Sequence, residues 1–262
     1  MHEMDIAKRA ARAGGEIARH YYTTGVKMES KGGESVNLVS QADVEAERAI
    51  VNVIRETFPS HTILGEEEND ATDLGAEHLW IVDPIDGTNN FAHNVPHFAV
   101  SIAYWRQGKP ACGVVYNPMR DDWFEAIRGQ GAFANGEPAH VNEQERLDEA
   151  FVGLGFYYDR GAMMEATLNA MRDFFGAQVH GIRRFGTAAL DLCFVGTGAY
   201  AAYFEYELSP WDFAAGKLFV EEAGGMVTTT RGEPLPLAKS GLLASNTKLH
   251  EAALEIVAKH HP

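Results

Sequence analysis

The sequence predicts a mixed α/β or α+β fold, because helical and strand-like segments alternate in blocks along the chain. Its 262 residues, 45% of them hydrophobic, can bury a substantial core, as one large domain or two closely joined ones. The 26 glycines and 10 prolines are spread along the chain, so no low-complexity or disordered tract is expected.

Two helices are expected first. Apolar residues at helical spacing predict an amphipathic helix around residues 6–17. A polar stretch with glycines, residues 27–37, is typical of an exposed loop or a loose hairpin. A second helix is predicted over residues 40–58, where either Ser40 or Asp43 could cap the first turn.

Strand-like runs dominate the middle of the chain. Predicted strands and helices alternate in the rest of it. The predicted strands are residues 62–65, 79–83, 98–105, 111–118, 122–127, 150–156, 199–206, 225–230 and 241–246. The later predicted helices are residues 162–175, 186–198, 210–225 and 247–259. Residues 141–150 are polar, so we expect a single domain with two packed subdomains, about 1–145 and about 146–262.

Composition narrows the classes of function. The net charge of −15 argues against nucleic acid and anionic membrane surfaces as partners. Cys112 and Cys193 are too few for a disulfide framework, and their apolar contexts predict buried free thiols. The first residues lack the apolar core of a signal peptide and no run could span a membrane, so a cytoplasmic location is expected.

The segment LWIVDPIDGTNNF, residues 79–91, ends a predicted buried strand with two carboxylates, Asp83 and Asp86. If the chain turns at Pro84, they lie close together, and at ~4 Å they repel by roughly 1 kcal/mol in water and ~4 kcal/mol at a protein-surface dielectric. A shared proton, an arginine or a divalent cation could offset this repulsion. No lysine or arginine occurs in residues 66–102, which favours the cation.

The alternative is an ordinary turn in which Asp86 bonds to Thr88. Two other acidic positions favour the metal site. Glu66 begins a run of three glutamates after a strand-like segment, although such a run is most often a solvated face. Asp212 opens a predicted helix, where its plain role is a helix N-terminal charge worth roughly 0.3–1 kcal/mol. Together with Asp83 and Asp86 these oxygen donors would suit Mg²⁺, and strand ends could bring them together.

The turn after the second aspartate has a complementary feature. Gly87, Thr88 and Asn89 stand where a turn could lead into a helix, and free backbone N–H groups there form an anion site. One short loop would therefore offer carboxylates to a metal and amides to a phosphate. This combination is typical of metal-assisted phosphoryl transfer.

Three motifs resemble the inositol monophosphatase family in order and spacing: GEE at 65–67, WIVDPIDGTNNF at 80–91 and WDFAAGKLFVEEAGG at 211–225. The resemblance covers essentially the whole chain. It implies a layered αβαβα sandwich of the fructose-bisphosphatase type and commonly a homodimer. It also implies a Mg²⁺-dependent, lithium-sensitive phosphatase acting on a small polyol or sugar phosphate, with inositol-1-phosphate as the leading substrate.

The resemblance implies a ligand set for two to three Mg²⁺ ions. Glu66, Asp83 and the carbonyl of Ile85 would hold the first ion. Asp83, Asp86 and Asp212 would hold the second, and Glu66 would help to hold a third. The first subdomain would then carry the metal and phosphate site, and the second would contribute Asp212 and the substrate side.

The resemblance also implies the catalytic roles. Thr88 matches the threonine that orients the attacking water, and Asp43 matches the acid that pairs with this threonine. Glu66 is also implied to be a catalytic residue, because it would hold a metal ion that takes part in the reaction. The amides of Gly87 and Thr88 would hold the phosphate. The implied mechanism is direct in-line hydrolysis without a covalent phosphoenzyme.

Two segments are implied to contact the organic part of the substrate. Gly186, Thr187 and Ala188 match a segment that contacts inositol hydroxyls in relatives, and Glu205 and Asp212 are placed on the same side. The alternative for Glu205 is a surface acid on an edge strand.

Three features near the substrate side have two interpretations each. Arg183 and Arg184 could meet an anionic substrate group or belong to a dimer surface. The loop of residues 156–161 could border either the substrate or the dimer contact.

Rival functions stay open. Within the same fold, the substrate could be histidinol phosphate, fructose-1,6-bisphosphate, NADP⁺ or a 3′-phosphoadenosine nucleotide. Some bacterial relatives act as binding partners in the transcription machinery, which would make catalysis dispensable. A metal-binding scaffold without a working substrate pocket is the third possibility.

Overall fold

Five layers of secondary structure alternate as helices, sheet, helices, sheet and helices in the computed structural model. The structure describes residues 2–30, 38–69 and 73–262. This arrangement confirms the mixed α/β class and the αβαβα sandwich.

The first outer layer contains two helices, α1 (His2–Thr24) and α2 (Gln41–Thr57). Between them, β1 (Met28–Ser30) and β2 (Leu38–Ser40) pair antiparallel, which fits the hairpin interpretation of this segment. The predicted loop residues 31–37 lie outside the described residues.

The start of α2 uses both of the residues proposed as caps. The Ser40 hydroxyl accepts a hydrogen bond from the backbone N–H of Ala42 at 3.1 Å, and the Asp43 carboxylate accepts from the backbone N–H of Ser40 at 2.8 Å. The two residues therefore form a capping box, which leaves the second Asp43 oxygen available to another partner.

Seven strands form the first sheet in sequential order. They are β3 (Thr62–Gly65), β4 (His78–Asp86), β5 (Ala99–Arg106), β6 (Lys109–Asn117), β7 (Asp122–Ile127), β8 (Gly131–Ala134) and β9 (Glu137–Ala139). β3 and β4 are parallel and the later pairs are antiparallel. The sequence prediction lacks β8 and β9, because they have only four and three residues.

The second half of the chain builds the other sheet and its helices. In chain order these elements are β10 (Phe151–Leu154), α4 (Ala162–Gly176), β11 (Gly181–Arg183), α5 (Ala188–Gly196), β12 (Ala202–Leu208), α6 (Pro210–Glu222), β13 (Gly225–Thr229), β14 (Ser240–Asn246) and α7 (His250–Lys259). The short helix α3 (Thr88–Ala92) belongs to the first half of the chain, between β4 and β5. The strand order is β11-β10-β12-β14-β13. The sequence prediction lacks the three-residue edge strand β11. The division into two subdomains near residue 145 stays a prediction.

Helices α5 and α6 lie between the sheets and contact both of them. On the first sheet, Phe219 of α6 packs edge-on against Phe124 of β7, with ring centroids 5.7 Å apart. Helices α1 and α2 cover the outer face of the first sheet, and α4 and α7 cover the outer face of the second. Because α6 serves both sheets, residues at its start can meet residues from the ends of strands in the first sheet.

The two cysteines are buried free thiols, as predicted. Burial raises the pKa of Cys112 to about 12, so this thiol stays protonated at neutral pH. Neither cysteine lines the cavity described below.

Gly15 lets α1 approach the first sheet closely. A Cβ atom at this position would lie 2.6 Å from the Tyr116 ring. That ring stacks on Trp123 at a centroid distance of 3.9 Å, and its hydroxyl donates to Asp121 at 3.0 Å, so it cannot move aside easily.

We therefore expect Gly15→Ala to lower the free energy of unfolding by about 1–3 kcal/mol through overpacking. The matched control is Gly176→Ala, at an exposed position of α4 where no atom lies within 4 Å of the added methyl group. The control should be neutral or raise stability by about 0.4–1 kcal/mol. Urea denaturation monitored by circular dichroism measures both, and equal effects of the two variants would contradict the packing argument.

Candidate active site

A cavity of about 460 Å³ opens where the end of β4 meets the starts of α3, α5 and α6. It is lined by Glu66, Asp83, Ile85, Asp86, Gly87, Thr88, Asn89, Gly155, Phe156, Tyr157, Tyr158, Arg184, Gly186, Ala188, Tyr203, Glu205, Leu208, Ser209, Trp211, Asp212 and Lys239. Most of the residues that the sequence singled out therefore share one cavity.

Three aspartates form the tightest part of this cavity. Oxygen atoms of Asp83, Asp86 and Asp212 all lie within 4.8 Å of one another. Each carboxylate accepts one backbone N–H bond: Asp83 from Ile85 at 3.0 Å, Asp86 from Ala189 at 2.8 Å, and Asp212 from Ser209 at 2.6 Å. These bonds fix the three side chains before any ligand arrives.

An irregularity in β4 allows two of these aspartates to face the same cavity. Residues three positions apart in a regular strand point to opposite faces. The pairing of β4 with β5 shifts register between Asp83 and Asp86, as in a β-bulge. The strand thus continues past Pro84 to Asp86, whereas the sequence prediction ended it at residue 83. Pro84 lacks the N–H group that a regular strand residue could donate to the neighbouring strand, and it lies within the irregular part of the pairing.

The trio is electrostatically unfavourable without a cation. Burial, followed by the charges of neighbouring carboxylates, raises the pKa of Asp83, Asp86 and Asp212 well above the usual aspartate range. In the described part of the chain, no lysine or arginine nitrogen lies within 4.0 Å of the trio. The donor set consists of oxygens alone, so it fits a hard divalent cation such as Mg²⁺.

Glu66 lies in the same cavity but is not part of the tight trio. It follows β3, whose parallel pairing with β4 places the ends of the two strands side by side. Its charge contributes to the raised pKa of Asp83 and Asp212. In the acidic segment after Glu66, residue Asp70 lies outside the described residues.

The structure brings Thr88 and Asp43 together across the cavity wall. Thr88 Oγ1 lies 3.5 Å from Asp43 Oδ1 and donates to the Ile85 carbonyl at 3.1 Å. Burial raises the pKa of Asp43 to about 6, and the charge of Glu67 adds to this increase, while hydrogen bonds from Ser40 oppose it. The Asp43 carboxylate can therefore change protonation close to neutral pH.

The turn after β4 requires a glycine. Gly87 has φ 97° and ψ 36°, which is the left-handed region, and it is the N-cap of the short helix α3. A Cβ atom there would lie 2.7 Å from Thr187 Oγ1. Gly87, Thr88 and Asn89 all line the cavity, so the start of α3 faces the carboxylates.

Only some of the residues predicted to contact the organic part of the substrate line the cavity. Gly186 and Ala188 line it, whereas Thr187 is buried and donates to the His97 carbonyl at 3.1 Å. Arg184 lines the cavity, but Arg183 lies over the Phe151 ring at 4.6 Å and does not.

Glu205 is a buried cavity residue, which overturns its alternative as a surface acid on an edge strand. Strand β12 lies in the middle of its sheet, and Glu205 is only 8% exposed. Its carboxylate accepts a hydrogen bond from the Tyr203 hydroxyl at 2.8 Å. Burial raises the Glu205 pKa to about 7, although Tyr203 and Arg184 act in the opposite direction.

Sequence reasoning missed the cavity residue Lys239 and left the loop 156–161 between the substrate and the dimer contact. Tyr157 and Tyr158 line the cavity, so the loop 156–161 borders it. The charges of Glu66 and Asp212 add to burial in raising the pKa of Tyr158, which places its hydroxyl near the metal-site carboxylates. Lys239 contacts both Tyr157 and Glu207 and holds the loop. No local motif marks these residues, because they meet only in the folded chain.

The fold and the cavity define a layered α/β protein with an oxygen-donor metal site beside the start of a short helix. The chain belongs to the inositol monophosphatase family, whose pattern it matches over residues 1–261.

Known relatives and solved structures are similar to this protein along nearly the whole length of its chain. The Nus factor SuhB of Pseudomonas aeruginosa is 40% identical, with 99% of this chain and 97% of that protein covered. The extragenic suppressor protein suhB from Bartonella henselae has a TM-score of 0.92 at 38% identity, covering 99% of both chains. The inositol monophosphatase from Anabaena (Nostoc) sp. PCC 7120 has a TM-score of 0.87 at 35% identity, covering 98% of this chain and 96% of that one.

None of the helices in the described residues combines the length and apolar character needed to cross a bilayer.

The carboxylate trio predicts how the stability of the metal-free protein depends on pH. Because the folded-state pKa values are raised, the folded protein binds protons more tightly than the unfolded chain. Stability is then lost as pH rises above the ordinary aspartate pKa of about 3.9. In EDTA, we expect the melting temperature to fall between about pH 5 and about pH 8.

The variant Asp86→Asn serves as the comparison, since an amide oxygen can still accept the Ala189 N–H bond. It should show a smaller fall and a higher melting temperature than wild type in EDTA at the higher pH, while Mg²⁺ should stabilise only the wild type. Differential scanning calorimetry measures these shifts. Parallel pH curves for the two proteins would show that the trio does not carry the effect.

Proposed function

We propose that the protein is a Mg²⁺-dependent phosphomonoesterase that hydrolyses a small polyol or sugar phosphate, with inositol-1-phosphate as the proposed substrate. The observation that carries the proposal is the close trio of Asp83, Asp86 and the half-buried Asp212 next to the start of α3. Membership of the inositol monophosphatase family supports it. A site with carboxylates for a cation and amides for an anion suits phosphate-ester chemistry.

Two to three Mg²⁺ ions are proposed to bind at this trio, with Glu66 and the Ile85 carbonyl completing the ligand set. When bound, the ions would neutralise the carboxylates, acidify water and offset negative charge on the transferring phosphoryl group. The backbone N–H groups of Gly87 and Thr88 are proposed to hold the phosphate oxygens. This arrangement would explain how a strongly acidic protein accepts an anionic substrate.

Thr88 and Asp43 are proposed to orient the attacking water. When the Thr88 hydroxyl turns from the Ile85 carbonyl to donate its hydrogen bond to Asp43, an oxygen lone pair of Thr88 can accept a hydrogen bond from the water and fix its direction. The water oxygen then forms a bond to phosphorus as the opposite phosphorus–oxygen bond breaks. The departing alkoxide takes a proton from a second water, and the hydroxide left behind is neutralised by the proton that the attacking water gives up, which yields the alcohol and inorganic phosphate.

The organic part of the substrate is proposed to contact Gly186, Ala188, Glu205 and Asp212. Thr187 would act through its hydrogen bond to the His97 carbonyl, which ties the start of α5 to the segment after α3. The Glu205 carboxylate could accept hydrogen bonds from hydroxyl groups. It could equally receive an amine, so histidinol phosphate belongs in the substrate panel with the other phosphomonoesters.

A second candidate function is binding to the transcription machinery. It is favoured by the name of the P. aeruginosa relative, Nus factor SuhB. Co-purification with RNA polymerase that persists in a catalytically inactive variant would support this role. The carboxylate trio in the cavity favours the enzyme, because a docking surface needs no such cluster.

We also propose a cytoplasmic homodimer that lithium inhibits. Val95 and Phe185 are the observations in support of the dimer, since both are large apolar residues that are more than 40% exposed. Analytical ultracentrifugation tests the dimer, and the substrate assay with added Li⁺ tests the inhibition.

The metal site is tested by Asp212→Asn. This variant should stay folded and lose Mg²⁺-dependent phosphatase activity by at least about 100-fold, because one proposed metal ligand and one negative charge disappear. Glu222→Gln is the control, since Glu222 ends the same helix and bonds the Gly129 and Gly131 amides far from the cavity lining. Retained activity of Asp212→Asn at saturating Mg²⁺ would refute the assignment.

The pairing of Asp43 with Thr88 predicts an acid limb in the pH–rate profile. Since the Asp43 pKa is raised to about 6, kcat at saturating Mg²⁺ should fall as pH drops through that value. Asp43→Asn should remove this limb and lower kcat by about 100-fold, because an amide has a single acceptor oxygen: if that oxygen accepts from the Ser40 N–H, an NH₂ group faces Thr88. The measurement is kcat against pH for both proteins, and an unchanged acid limb in the variant would exclude Asp43 as its origin.

A further inference from the structure

Glu47 is a completely buried carboxylate outside the cavity lining. It lies on α2, one helical turn after Asp43. Instead of a cation, it meets four N–H donors from one loop. Its oxygens accept from the backbone N–H groups of Glu67 at 2.8 Å, Glu68 at 2.9 Å and Asn69 at 3.1 Å, and from the Asn69 side-chain amide at 2.7 Å.

The loop of residues 65–69 is shaped around this carboxylate. The Gly65 N–H donates to the Asn69 carbonyl at 2.7 Å, which closes the loop on itself. A Cβ atom at Gly65 would lie 2.5 Å from the Glu47 carboxyl carbon, so only glycine allows the two to approach this closely. The remaining loop residue, Glu66, stands between Gly65 and the first amide that Glu47 binds.

The outer side of the same loop has a much weaker anchor. Arg48 forms a two-nitrogen ion pair with Glu68, at 2.7 and 2.6 Å, but both side chains are exposed. Exposed pairs of this kind contribute little. The buried bonds to Glu47 therefore hold the loop.

We infer that Glu47 is a positioning residue that sets the place of Glu66 as a metal ligand; this inference rests on the proposed function. Glu66 lines the cavity but stands outside the tight aspartate trio, so its distance to a bound cation depends on the loop that carries it. The trio is held by backbone bonds to its own carboxylates, and the loop that carries Glu66 is held by Glu47.

Helix α2 thereby aligns two parts of the site at once. Asp43 faces Thr88, and Glu47, four residues later on the same helix face, holds the loop of Glu66. A rigid helix sets the distance between the two carboxylates, so the water-orienting pair and the glutamate ligand move together.

The diagnostic substitution is Glu47→Gln. One carboxylate oxygen becomes an NH₂ group. This group cannot accept a hydrogen bond from the backbone N–H of Glu67 or Glu68, and two donors facing each other repel. Replacing a residue that orients a metal ligand typically weakens metal affinity by about 10–100-fold. We expect the Kd for Mg²⁺ to rise by about this factor, measured by isothermal titration calorimetry, with a smaller change in kcat at saturating Mg²⁺.

Hydrogen exchange of the metal-free protein gives an independent readout. In Glu47→Gln, the amides of residues 67–69 should exchange faster, while those of the trio's anchors, Ile85, Ala189 and Ser209, should be unchanged. Glu68→Gln is the matched control on the same loop: it removes the exposed Arg48 pair and should leave both Mg²⁺ affinity and amide exchange near wild type. If Glu47→Gln does not fold, Glu47→Asp, whose carboxylate is withdrawn by one methylene, replaces it with the same expected changes.

The inference would be overturned if the loop amides lose protection while the Kd for Mg²⁺ stays at the wild-type value, because Glu47 would then have a purely structural role. Equal effects of the Glu47 and Glu68 variants on Mg²⁺ affinity would also overturn it. Failure of the proposed function has a different signature: the wild-type protein itself would bind Mg²⁺ without hydrolysing any phosphomonoester, or would not bind Mg²⁺.

Discussion

Mutual repulsion among the clustered carboxylates of Asp83, Asp86 and Asp212 is the constraint on which the cavity depends. Burial and shared charge both disfavour ionisation there, and each side chain is nevertheless fixed by a backbone N–H bond. The donors of these bonds belong to β4, to α5 and to the segment before α6. The fold therefore spends stability to keep three negative charges close together, which is reasonable only if a cation binds there.

Some residues of the site lie on packed strands and helices, and others lie on loops. The aspartates stand on a strand and at the start of a helix between the sheets, where packing on two sides leaves little freedom. Glu66 and the tyrosines at 157 and 158 stand on loops that other side chains hold in place, Glu47 in one case and Lys239 in the other. Differences among relatives in substrate or metal affinity would arise more readily in these loops than in the aspartates.

Sequence reasoning found the aspartates, Glu66, Thr88 and Gly87, because each lies in a short motif whose residue types suit one chemistry. It could not find the irregularity in β4, since a register shift is decided by the neighbouring strand. It left Glu205 between a surface acid and a cavity acid, because burial depends on the strand order. It missed β8, β9 and β11, which have only three or four residues each, and the contacts of Lys239, whose partners Tyr157 and Glu207 lie far away in the chain.

The position of α6 between the sheets has a consequence for biosynthesis. The inner faces of β5, β6 and β7 are covered by a helix that is synthesised about eighty residues or more after those strands. During translation from the N-terminus, the first sheet must wait for α6 before its apolar inner face is covered. Asp212 reaches the other two aspartates in the same step, so a cation can bind fully only to a chain whose central layer has already assembled.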